Sequence, residues 1–109
     1  MADDDVTMEW LMEDTINPAA SISLAKMTVA KGVTSELHRH TNCTETLHVL
    51  EGFIEQRIDE EWKRLNTGET CLIPIGAAHQ TRNVGSVKAV MMIAYSAGQR
   101  EYVTVEPLP

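Results

Sequence analysis

Glycine and proline punctuate this chain at short intervals, and the runs between them are short and apolar. Gly32, Gly52, Gly68, Pro74, Gly76, Gly85 and Gly98 separate stretches that carry β-branched and other apolar residues. Ser21 to Ala30 alternates, with Ile22, Leu24, Met27 and Val29. Glu45 to Leu50 and Phe53 to Ile58 are further candidate strands. Asp59-Glu60-Glu61 makes a polar hairpin tip, and Trp62 to Leu65 returns from it. Thr70 to Ile73 ends at Pro74, and Val87 to Tyr95 is the most strand-like stretch. No segment holds a 3.6-residue apolar period over three turns. Short strands at this spacing predict an all-β sandwich or barrel. Residues 7–13 are open to a helical turn or a strand, and Glu101 to Pro109 could add one edge strand.

The 109 residues suffice for one domain with a real core. Of the formal net charge of -7, most sits at the start: Asp3, Asp4, Asp5, Glu9, Glu13 and Asp14, with no Lys or Arg among them. The expected division is an acidic N-terminal arm, 1–14, ahead of a single domain, 15–109. The rest of the chain is near neutral, so a basic stripe for nucleic acid is absent. No apolar run approaches the ~20 residues of a membrane-spanning helix. The start Met-Ala-Asp-Asp-Asp lacks the basic-then-apolar plan of a signal peptide. The expectation is therefore a soluble cytoplasmic protein without nucleic-acid or membrane partners. Two cysteines, Cys43 and Cys71, supply neither a disulfide framework nor a CxxC metal site. Cys43 falls in a loop, and Cys71 is expected to pack in a strand as a small apolar residue.

The chemistry lies in the histidines. His38 and His40 are two apart. On a strand such residues share a face, whereas on a helix they diverge by about 200°. Glu45 follows after four residues, and His79 follows the turn-forming Pro74-Ile75-Gly76-Ala77-Ala78. Three neutral imidazoles and a carboxylate suit one divalent ion: Fe, Mn, Ni, Co, Cu or Zn.

These residues stand in two motifs that resemble those of the cupin superfamily. Gly32, five residues, His38-Arg39-His40, four residues, Glu45, six residues, Gly52 is similar to its first motif. Gly68, five residues, Pro74-Ile75-Gly76, two residues, His79, three residues, Asn83 is similar to its second. The resemblance implies a cupin-type conical β-barrel, an antiparallel jelly roll, with His38, His40, Glu45 and His79 as ligands to one metal ion. It also gives Asn83 a structural task, tying down a turn with its side-chain amide. Small cupins often pair as homodimers, and Trp10 and Leu11 in the acidic arm would be apolar anchors across such an interface.

Strand parity selects the residues around the ion. With His38 and His40 inward, Glu36 reaches the rim, while Leu37 and Arg39 face out. With Glu45 inward, Leu47 and Val49 follow, and His48 takes the opposite face. From His79, Thr81 points in and Gln80 and Arg82 point out. Tyr95, Arg100 and Tyr102 flank a Ser-Ala-Gly-Gln turn. In small cupins this region can close over the barrel mouth, which makes Arg100 a candidate for a substrate carboxylate. Glu36, Tyr95 and Arg100 are the candidate catalytic residues. The resemblance implies a metal-dependent enzyme on a small organic molecule, of oxygenase type. An isomerase or lyase on a sugar acid or keto acid, and a non-catalytic ligand-binding barrel, are the alternatives.

Overall fold

In a computed structural model, residues 5–106 are described. Asp3 and Asp4 of the acidic start and the terminal prolines lie outside them. Ten strands follow one another: β1 (Val6–Met12), β2 (Ser23–Val29), β3 (His38–Arg39), β4 (Glu45–Glu51), β5 (Ile54–Ile58), β6 (Glu61–Leu65), β7 (Thr70–Ile73), β8 (His79–Arg82), β9 (Ala89–Tyr95) and β10 (Val103–Thr104). Among the described residues there is no helix, hence none long and apolar enough to cross a membrane.

The strands form two antiparallel five-stranded sheets, ordered β1-β2-β9-β4-β7 and β10-β3-β8-β5-β6. Chain neighbours often lie in different sheets, so the connections cross between layers, as a jelly roll requires. The core fills the space between the layers. Val29, Leu47, Val49, Ile54, Leu65, Met91 and Ile93 are buried there. On β4 the alternation is strict: Glu45, Leu47 and Val49 are buried while Thr46 and Leu50 are exposed. A one-residue slip would turn every one of these side chains outward, so the pattern itself fixes the register.

Turn chemistry follows the same logic. Gly52 has a φ of 74°, and a Cβ there would stand 2.9 Å from the Lys88 carbonyl oxygen. Both the left-handed backbone and the close approach require glycine at that corner. Asn83 is buried and donates its amide to the carbonyls of Val29 (3.0 Å) and Val87 (2.8 Å). It also accepts from the Gly85 N–H (2.9 Å). It is thus the turn clamp that the second motif implied.

Within the described part of the expected N-terminal arm, one stretch is a strand of the first sheet. Residues 6–12 form β1, which pairs with β2 from Val6↔Val29 onward and edges the first sheet. The cause is a period-two pattern. Val6, Met8 and Trp10 turn onto the core and Thr7, Glu9 and Leu11 face solvent. Trp10 accordingly packs on Tyr95 of its own chain, with ring centroids 5.8 Å apart. Leu37 departs from its expectation as well. It points away from the barrel interior but is buried, lining an outer hollow with Pro74, Ala78 and Val105. The Val105 N–H donates to its carbonyl (3.0 Å), so the chain's end passes beside it.

Candidate metal centre

The site joins the two sheets. His38 on β3 and His79 at the start of β8 are directly opposed register partners in the second sheet. Glu45 opens β4 in the first sheet, and His40 lies just past β3. The ligating atoms of His38, His40, Glu45 and His79 all fall within 4.8 Å of one another. The imidazole centroids stand 4.2–5.0 Å apart. His40, Glu45 and His79 are buried and His38 half-buried.

Backbone carbonyls set each ring. His38 Nδ1 lies 2.7 Å from the Glu36 carbonyl, His40 Nδ1 2.8 Å from that of Glu101, and His79 Nδ1 2.9 Å from that of Ala77. A carbonyl only accepts, so each Nδ1 carries the proton. Each Nε2 is left as a lone-pair donor facing the centre, the arrangement that metal-binding histidines require.

The electrostatics of the site suit a cation. Burial pushes the Glu45 carboxyl up, but contacts with His40 and His79 outweigh it and hold it at about 2. The carboxylate is ionised. Its Oε1 lies 3.1 Å from His40 Nε2 and 3.1 Å from His79 Nε2. An extra proton could bridge one such pair. Burial lowers the His79 pKa, and the Glu45 contact more than reverses that, so the His79–Glu45 pair can hold such a proton. One proton serves one nitrogen, and His40 Nε2 remains buried without a hydrogen bond. Nor would His38 take a second proton: burial first, then the charge of His79, lowers it to about 4. A divalent ion would satisfy all three nitrogens and the carboxylate together. Three imidazoles and a carboxylate leave up to two positions free on a six-coordinate ion.

Beside this centre lies a cavity of about 340 Å³, within the usual range of small-molecule sites (~300–1,000 Å³). His38, Glu45 and His79 reach it, and so do the three further candidates, Glu36, Tyr95 and Arg100. Glu36 is exposed at the rim, where its carboxylate accepts from the Tyr102 hydroxyl (2.6 Å) and Thr104 Oγ1 (3.3 Å). Tyr102 in turn stacks on His38, centroids 4.4 Å apart and planes 12° from parallel. The Tyr95 ring meets His40 edge-on at 5.1 Å, and burial drives its phenol pKa well up. Thr81 faces the cavity as parity predicts. His48 does not; it sits on the other face, 2.7 Å from Thr70 Oγ1. Cys43 is buried in the core cluster, and Cys71 packs half-buried against that cluster.

Residue-by-residue reading missed one wall. Val6 and Met8 of β1 line the cavity. Their alternation with Thr7 and Glu9 was the available signal.

Comparison with known proteins gives this site its family. The model of the cupin domain family matches residues 25–95. The chain belongs to the cupin family. Among its relatives, the rice (Oryza sativa subsp. japonica) germin-like protein 3-8 is 33% identical over 81 residues, covering 70% of this chain and 36% of the relative. The uncharacterized protein MJ1618 of Methanocaldococcus jannaschii is 31% identical over 77 residues, covering 71% of this cupin and 62% of that protein. This cupin thus spans less than two thirds of either relative's length. Solved structures share the fold. A recombinant oxalate oxidase in complex with glycolate superposes with a TM-score of 0.85 at 22% identity, covering 94% of this chain and 56% of that one. An oxalate decarboxylase formate complex from Lactobacillus farciminis gives 0.86 at 18% identity, covering 96% of this chain and 32% of that one.

Proposed function

We propose that this cupin is a metal-dependent enzyme of oxygenase type that acts on a small organic molecule, with His38, His40, Glu45 and His79 holding one divalent ion. One observation carries the reading. Three imidazoles, each with its Nδ1 proton committed to a carbonyl, turn their free nitrogens toward an ionised carboxylate at the wall of a ligand-sized cavity. A bound ion with open positions would supply Lewis-acid or redox chemistry there. The chain's own residues then bind and orient the substrate. Relatives in fold that handle oxalate or bind glycolate support a small-molecule reading. Oxygen uptake by Fe(II)- or Mn(II)-loaded protein, across a panel of diketones, thiols, catechols and carboxylic acids, tests it. Uptake that is lost in His79→Ala, with the fold retained, is expected. No uptake with any panel member would overturn it.

A second reading draws on the Glu36–Tyr102 pair at the rim. A carboxylate hydrogen-bonded to a phenol within reach of the cavity could move a proton, as an isomerase or lyase needs. Deuterium incorporation from heavy water into a keto acid, without oxygen uptake, would favour it. We further propose that copies of the chain pair as a homodimer, since the sheet edges are open and Leu11, Ile22 and Leu72 are exposed apolar residues.

A further inference from the structure

The cavity has a charged wall that the metal centre does not use. Arg100 lines it, following the turn after β9. Its guanidinium carbon lies 5.1 Å from the Trp10 ring centroid, 5.4 Å from Tyr95 and 4.9 Å from Tyr102. Three aromatic rings within about 6 Å place the cation, but none neutralises it. Arg100 Nε is buried with no hydrogen-bond partner. Among the described residues, no ion pair holds this guanidinium. The two carboxylates at the cavity are committed elsewhere: Glu45 to His40 and His79, Glu36 to Tyr102 and Thr104. The half-buried Arg100 thus turns a guanidinium with a buried, unpartnered Nε toward the cavity, and an anion there would complete it.

The opposite surface is hydrocarbon. Val6, Met8, Met27, Val33 and Ile93 face the same cavity, drawn from β1, β2, β9 and the connection before β3. A compact two-carbon diacid has no carbon chain to set against these residues. An acid with an apolar body does.

Resting on the metalloenzyme reading but narrowing its substrate, we propose that the cavity takes a monocarboxylic acid with a hydrocarbon body. The carboxylate pairs with Arg100, and the chain lies along Met8, Met27 and Ile93. Arg100 is then the residue that selects the acid. Trp10, Tyr95 and Tyr102 position its guanidinium.

Calorimetric titration of the full chain, before and after removal of metal by chelation, tests this with hexanoate, hexan-1-ol and oxalate. Hexanoate is expected to bind at least tenfold more tightly than either of the others. Arg100→Gln should lose at least tenfold for hexanoate and leave hexan-1-ol unchanged. Equal binding of hexanoate and hexan-1-ol, tighter binding of oxalate, or undiminished hexanoate binding in Arg100→Gln would overturn the proposal. Should Arg100→Gln fail to fold, the comparison of the three ligands on the unsubstituted protein still decides. Absence of oxygen uptake alongside hexanoate binding would remove the oxygenase reading alone. Oxygen uptake with another substrate and no preference for hexanoate would remove only this one.

Discussion

Each candidate histidine ligand owes its aim to a backbone carbonyl. For His38 and His79 it belongs to the residue two earlier, Glu36 and Ala77, so the strand start that places the ring also fixes its tautomer. For His40 it comes from Glu101, far along the chain, so this ring depends on the C-terminal segment folding back. Replacing His79 by Ala should reduce metal content from one ion per chain to well below half, with circular dichroism unchanged. A variant that keeps its full metal complement would refute the assignment. The cysteines should behave as packed thiols. Burial, then the negative charge of Glu45, raises the Cys71 pKa to about 11. The thiolate, the reactive form, is disfavoured until pH approaches that value. Alkylation of the folded protein by iodoacetamide should be slow at pH 8 and rise toward pH 11. Rapid labelling of Cys71 at pH 8 would contradict its placement.

At the scale of the strand, most of the architecture was legible. The hairpin of β5 and β6, with its polar tip, stands where the Asp59-Glu60-Glu61 stretch predicts it, Ile58 pairing with Glu61. The four candidate ligands and Asn83 were readable because strand parity and two sharp turns leave little freedom in where their side chains point. What escaped was structure whose signal is tertiary. In the N-terminal stretch the alternation of Val6, Met8 and Trp10 is short and set among charges, and only pairing with β2 makes β1 a strand. Leu37 shows the same limit: parity gives the direction of a side chain, not whether another segment covers it. Two substitutions test the elements. Trp10→Ala should lower unfolding stability by about 2 kcal/mol, less than the ~3–5 of a fully buried tryptophan, since Trp10 is only half-buried. Gly52→Ala should lose about 2 kcal/mol, from left-handed backbone strain plus the clash with Lys88. Gly68→Ala, at a φ of 88° with open space around it, should lose about 1. Urea unfolding reads all three. Equal losses at the two glycines would show that the close approach at Gly52 is relieved by relaxation.

Taken whole, the molecule is two sheets closed around a polar centre that neither sheet could build alone. The second sheet brings His38 and His79 together, the first brings Glu45, and the returning C-terminal segment fixes His40 and carries Arg100. The acidic excess lies mainly in the first fourteen residues of the sequence, of which Glu9 stands on the outer face of β1. Residues 15–109 are close to neutral. Exposed apolar residues on the outer surface underlie the proposed pairing of copies. Sedimentation at micromolar concentration should give a dimer, and a monomer there would dismiss it. The central claim is that the four converging side chains hold a metal ion. Its most direct test is elemental analysis of protein prepared without an affinity tag and reloaded after chelation. One divalent ion per chain, with a higher unfolding temperature than the chelated form, is the expected result. A protein that takes up no ion and unfolds at the same temperature with or without metal would contradict it.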